Sequence, residues 1–123
     1  MEGKAKEAFE KWYLEKSRLH MGVDNPYYDE MLLLSFKNTE DIIKNAYYID
    51  WLDSMGIYIF TRRLTMSLEF KEWYFIITNS DGVHLNNHVS KESRILKDSR
   101  QEATEAAIKK AVEIFNEKYK ENE

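Results

Sequence analysis

The residues able to do chemistry in this chain are few and poorly matched to one another. His84 and His88 share one face of a strand-like segment, but four strand residues hold them about 13 Å apart, beyond the reach of one metal with ligand bonds of about 2 Å. Asp50 and Asp53, three apart, share a helix face and could bind a divalent ion or exchange protons. No third ligand is nominated, so a polar helix edge is the expected role. Ser54, Ser99 and Thr39 have no histidine–aspartate pair to activate them, and capping accounts for the last two. The glycines are scattered singly, which rules out a phosphate-cradling loop. His20 sits in a loop without an evident carboxylate partner. No catalytic residue, metal or cofactor is expected.

Composition narrows the class. The chain has 123 residues, no cysteine and a net charge of −4, from 18 basic and 22 acidic side chains. One domain over 1–123 is expected, large enough to fold without disulfides or metal. The start, MEGKAKEAFEKWYLEK, is charged and amphipathic and lacks a signal-peptide core, so a cytoplasmic protein is expected. The acidic balance, with no basic block beyond Arg62-Arg63, argues against nucleic acid and favours a basic protein partner. Aromatic residues make up 14%, a content that serves cores and interface anchors alike.

Periodicity then supplies the elements. Residues 4–19 read as a helix with Ala5, Ala8, Phe9, Trp12 and Leu19 on one face. Gly22 and Pro26 break it, and 27–36 is ambiguous between strand and helix. A second helix is expected to about Ser54, capped by Asn38 or Thr39 and stopped by Gly56. It is apolar on more than one side, which predicts a central position. Residues 57–64, 72–78 and 83–89 read as strands, with a turn at Asn79–Gly82. After a polar loop over 90–98, Ser99 and Glu102 form an S-x-x-E capping box opening a final helix. Its inward face should carry Ala103, Ala107, Ala111 and Ile114, flanked by Ile108, Phe115 and Tyr119, with a frayed tail from about 119. The fold class is therefore α+β: an N-terminal helix, a central helix, a three-stranded antiparallel sheet and a long C-terminal helix packed on it.

Alternation assigns the sheet faces. Ile57, Ile59, Trp73, Phe75, Ile77, Val83 and Leu85 should face the helices. The other face would hold Tyr58, Phe60, Arg62, Tyr74, Ile76, His84, Asn86 and His88. Small domains ordinarily bury an apolar face, so a covering helix is the first expectation. If the face is open, it could dock a protein, a second copy, or stacked nucleic-acid bases. The candidate contact residues are Tyr58, Phe60, Arg62, Arg63 and Tyr74.

Two resemblances bear on function. The order helix, three strands, helix resembles the double-stranded RNA-binding domain. That family's basic helix start is here Lys97, Asp98, Ser99, Arg100, Gln101 and Glu102, and its Gly-Pro-x-His loop is missing. AFEKWY at 8–13, YYIDWLDSMGI at 47–57, EWYFII at 72–77 and SRQEATEAAIKKAVEIFNE at 99–117 are similar to stretches in small phage- and prophage-encoded proteins of Bacteroidetes-type bacteria. Trp51-Leu52 stand where that group usually has two phenylalanines, and the 20–40 region is expanded. Whether residues 20–37 form an arm that reaches a target is open.

The second resemblance implies a phage accessory protein in a host cytoplasm. Such a protein would be non-enzymatic and would bind and inhibit a host protein, such as a basic nuclease effector of CRISPR-type defence. A nucleic-acid-binding module and a homodimeric structural phage protein are the alternatives.

Overall fold

The structure, a computed structural model, describes residues 1–22, 26–63, 72–86 and 99–120. The first amphipathic segment forms α1, Gly3–Met21, and Gly22 ends it in the left-handed region at φ 67°. There its N–H reaches the carbonyl of Arg18, the usual use of glycine beyond a helix end. The ambiguous segment is helical: a 3-10 turn over Pro26–Tyr28 leads into α2, Asp29–Lys37. Arg18 ties the two helices together, its guanidinium gripping both carboxylate oxygens of Asp29, a geometry only arginine offers.

Helix α3 spans Asp41–Ser54. Neither expected cap is used: Glu40 occupies the N-cap position without a side-chain bond. The Thr39 hydroxyl instead donates to the Ser35 carbonyl at 2.9 Å, closing the end of α2. The stop at Gly56 is as expected, with φ 76° and the Ile57 N–H bonded back to the Leu52 carbonyl at 2.9 Å.

Strands β1, Tyr58–Arg63, and β2, Trp73–Thr78, pair antiparallel with Ile59 opposite Ile77 and Phe60 opposite Ile76. The expected third strand does not form among the described residues, and the sheet is two-stranded. The turn behaves as its residues suggest: Asn79 Oδ1 accepts the N–H groups of Asp81 and Val83, and Gly82 takes φ 80°. Only an isolated bridge between Thr78 and His84 follows, with the Leu85 N–H donating to the Ile77 carbonyl at 2.7 Å. One residue on, a side chain replaces the backbone. The Asn86 carboxamide accepts the Ile77 N–H at 2.7 Å and donates to the Phe75 carbonyl at 3.2 Å. The edge of β2 is thus satisfied without a paired strand. Residues 87–89, with His88, lie outside the described residues, as do the expected loop over 90–98 and Lys97 and Asp98.

The final helix, α4, spans Arg100–Lys120. It continues past the expected fraying point at Tyr119, and 121–123 lie outside the described residues. The Ser99 hydroxyl accepts the Glu102 N–H at 3.1 Å, as the capping box requires. Ala103, Ala107 and Ala111 are fully buried, and such small side chains let a helix lie close against a sheet. Ile108, Val112 and Phe115 complete the inward face, whereas Ile114 is half-buried and Tyr119 exposed.

The core joins α4 and one face of the hairpin to the other helices through aromatic rings. Phe9 is its hub, with ring centres 5.1 Å from Phe36, 4.8 Å from Tyr48 and 5.8 Å from Trp51. Among the described residues, no helix is long and apolar enough to cross a membrane.

Candidate binding surfaces

The strand register decides which candidate residues meet. Paired residues share a sheet face, so Tyr58–Thr78, Phe60–Ile76 and Arg62–Tyr74 line one side. Ile59–Ile77, Thr61–Phe75 and Arg63–Trp73 line the other. Ile59, Phe75 and Ile77 join the core, and Tyr58, Phe60, Tyr74 and Ile76 do not. A covering helix is the first expectation for this face, but Phe60 is 47% exposed there. Arg62 is exposed as well, with Tyr58 and Tyr74 half-buried beside it.

Four of the five candidate contact residues are therefore brought together. Arg63 is not: its neighbour Arg62 points outward, so alternation turns Arg63 to the α4 side, where it is half-buried opposite Trp73. On that side the Arg100 guanidinium of α4 lies 4.7 Å from the centre of the Trp73 ring, a cation–π contact. His84, bridged to Thr78, is exposed, and the Asn86 carboxamide is committed to the β2 edge. The outer face offers aromatic surface and one guanidinium, a set suited to packing and hydrogen bonding rather than to bond breaking.

The carboxylate pair has a structural setting. Lys16 of α1 pairs with Asp50 and also lies 4.7 Å over the Trp12 ring. Partial burial, and secondarily the charge of Asp50, raise the Asp53 carboxyl above the ordinary aspartate value. Among the described residues, no three His, Asp or Glu side chains converge on a point where a metal could sit. The Ser54 hydroxyl donates to the Trp51 carbonyl at 2.5 Å.

Two further surfaces are not anticipated by motif reading. A groove of about 540 Å³ runs between α1, α2 and α3, floored by Phe9, Leu33, Phe36 and Tyr48 and rimmed by Lys6 and Lys44. Burial, then the charge of Asp41, raise the Tyr48 hydroxyl above the ordinary tyrosine value. The other is the solvent side of α3, where Ile42, Ile43 and Tyr47 are 63%, 46% and 37% exposed. Its signal is present in the sequence as a helix apolar on more than one side. That pattern marks two apolar faces without saying what covers the second. Comparison with protein-family models, curated proteins and solved structures finds no match.

Proposed function

We propose that this protein acts without catalysis, by binding a partner protein through the outer face of its β-hairpin. The observation that carries the reading is Phe60, 47% exposed at the centre of a face shared with Tyr58, Arg62 and Tyr74. Aromatic and arginine side chains are the usual anchors of protein interfaces. The net charge of −4 favours a partner whose docking surface is basic. The resemblance to phage-encoded proteins supports a narrower form: an accessory factor that occupies a host protein, such as the nucleic-acid groove of a defence nuclease. An acidic ligand with aromatic anchors competes naturally for such a groove.

The test is retention of tagged protein on its partners from a bacterial host lysate, with and without nuclease. Wild type is run beside the Phe60→Ala/Arg62→Ala double variant. The expected result is a stoichiometric protein that survives nuclease and is lost with the double variant. The same partner bound equally by both proteins would overturn the assignment of the face.

A second reading has one feature in its favour, the exposed Arg62 paired across the strands with Tyr74. An arginine beside aromatic rings can hold stacked bases. In that case binding to single-stranded nucleic acid should collapse steeply with salt and weaken in Arg62→Ala.

A further inference from the structure

Helix α3 has an outward face whose composition conflicts with its position in the helix. The inward face is fully used, with Trp51 and Leu52 completely buried. Outward, Ile42, Ile43, Ala46 and Tyr47 are all exposed, and at 3.6 residues per turn they fall within one sector of about 140°, with Tyr47 at its edge, where the ring also meets Tyr13 and Phe36. Asp50 and Asp53 fall in the same sector, further along the helix. The face is apolar over its first two turns and acidic in its last.

That order works against the helix. The C-terminal end of a helix carries partial negative charge, which favours cations and disfavours carboxylates. The last turn of α3 contains no basic residue. Lys16 from α1 answers Asp50, but Asp53 has no cationic partner among the described residues. Exposed apolar side chains and one uncompensated carboxylate, Asp53, on a single face break two local rules at once. Such violations concentrate where a surface is shaped for something outside the chain.

We propose that the outward face of α3 docks a basic amphipathic helix of a partner protein. The partner's apolar side chains pack on Ile42, Ile43 and Tyr47, with Ala46 allowing close approach. A Lys or Arg side chain of the partner reaches Asp53, where it also answers the helix dipole. A second copy is a poor occupant. The same face of its α3 carries no basic side chain to answer Asp53. This surface uses none of the hairpin residues, so it and the outer sheet face can fail independently.

The test uses a fluorescent model peptide of roughly 18 residues, with leucines at i, i+3, i+4 and i+7 and lysines clustered at one end. A control peptide carries glutamates in place of the lysines. Both are titrated into the full chain at fixed physiological salt. The lysine peptide should bind and the glutamate peptide should not. Ile43→Asn and Asp53→Asn should each weaken binding by about tenfold, with Phe60→Ala leaving it unchanged. Equal binding of both peptides, or no binding of either, would overturn the proposal. So would a concentration-dependent dimer in sedimentation that Ile43→Asn abolishes, which would give the face to a second copy.

Discussion

The side chain of Asn116, near the end of α4, caps the start of α1 by accepting the Ala5 N–H on its Oδ1 at 2.8 Å. Its Nδ2 donates to the Glu2 carbonyl at 3.1 Å, and α1 has no side-chain cap of its own. A Cβ on Gly3, which sits at φ +65°, would meet this carboxamide at 3.1–3.3 Å. The two chain ends are thereby locked by one residue. Asn116→Ala should lower stability by about 1–2 kcal/mol, the ordinary cost of losing a cap. Asn116→Asp keeps the acceptor but sets a carboxylate against the Glu2 carbonyl, so it should fall between. Urea unfolding of the three proteins checks the order, and an unchanged midpoint in Asn116→Ala would remove the capping role.

Asn86 acts on β2 as a strand would, through one side chain. Its carboxamide is bonded to Ile77 N–H and Phe75 C=O, two groups that Asn86→Ala would leave without these partners. An unsatisfied group costs about 1–3 kcal/mol when water cannot reach it, and Phe75 and Ile77 are buried. Asn86→Ala should therefore destabilise the chain by that order, with the Ile77 amide losing protection against hydrogen exchange more than those of β1. Protection falling equally over both strands would contradict a local edge role.

Tyr48 predicts a pH dependence. Its hydroxyl is raised by burial and by Asp41, so the fold favours the neutral phenol. The unfolded chain then loses this proton first, and stability falls as pH rises from the ordinary tyrosine value through the raised one. Below that window the contribution is fully present. Tyr13, raised chiefly by burial, adds to the same trend. Tyr48→Phe should thus unfold near the wild-type urea midpoint at neutral pH and resist the loss seen at about pH 10.5 better than wild type. Identical alkaline loss in both proteins would show that Tyr48 does not contribute.

These contacts mark the boundary of what the residues alone disclose. Local rules carry α1, α3, α4 and both strands to within a few residues, because caps, glycine stops and periodicity are written in adjacent positions. Ser99 bonded to the Glu102 N–H is one example. The segment 27–36 is ambiguous because an unbroken Leu32-Leu33-Leu34 run has no period to read. Alternation over 83–89 predicts a strand, but it cannot tell a backbone ladder from the carboxamide of Asn86 standing in for one. The cap from Asn116 spans 111 residues and leaves no local trace. Arg63 is a different case: strand alternation alone separates it from Arg62, so its place opposite Trp73 was open to sequence reading.

Trp51 tests the core. It is completely buried, with ring centres 5.8 Å from Phe9 and 5.1 Å from Phe115, yet its indole N–H has no hydrogen-bond partner among the described residues. Two opposing terms follow. Truncation in Trp51→Ala removes the packing and leaves a cavity, which should cost about 3–5 kcal/mol. Trp51→Phe also loses volume, but it removes a buried donor whose desolvation costs about 1–3 kcal/mol. Trp51→Phe should therefore retain most of the wild-type stability, with a urea midpoint far closer to wild type than to Trp51→Ala. If both variants were equally destabilised, the indole ring would be needed for its full volume, and the orphaned N–H would carry no measurable penalty.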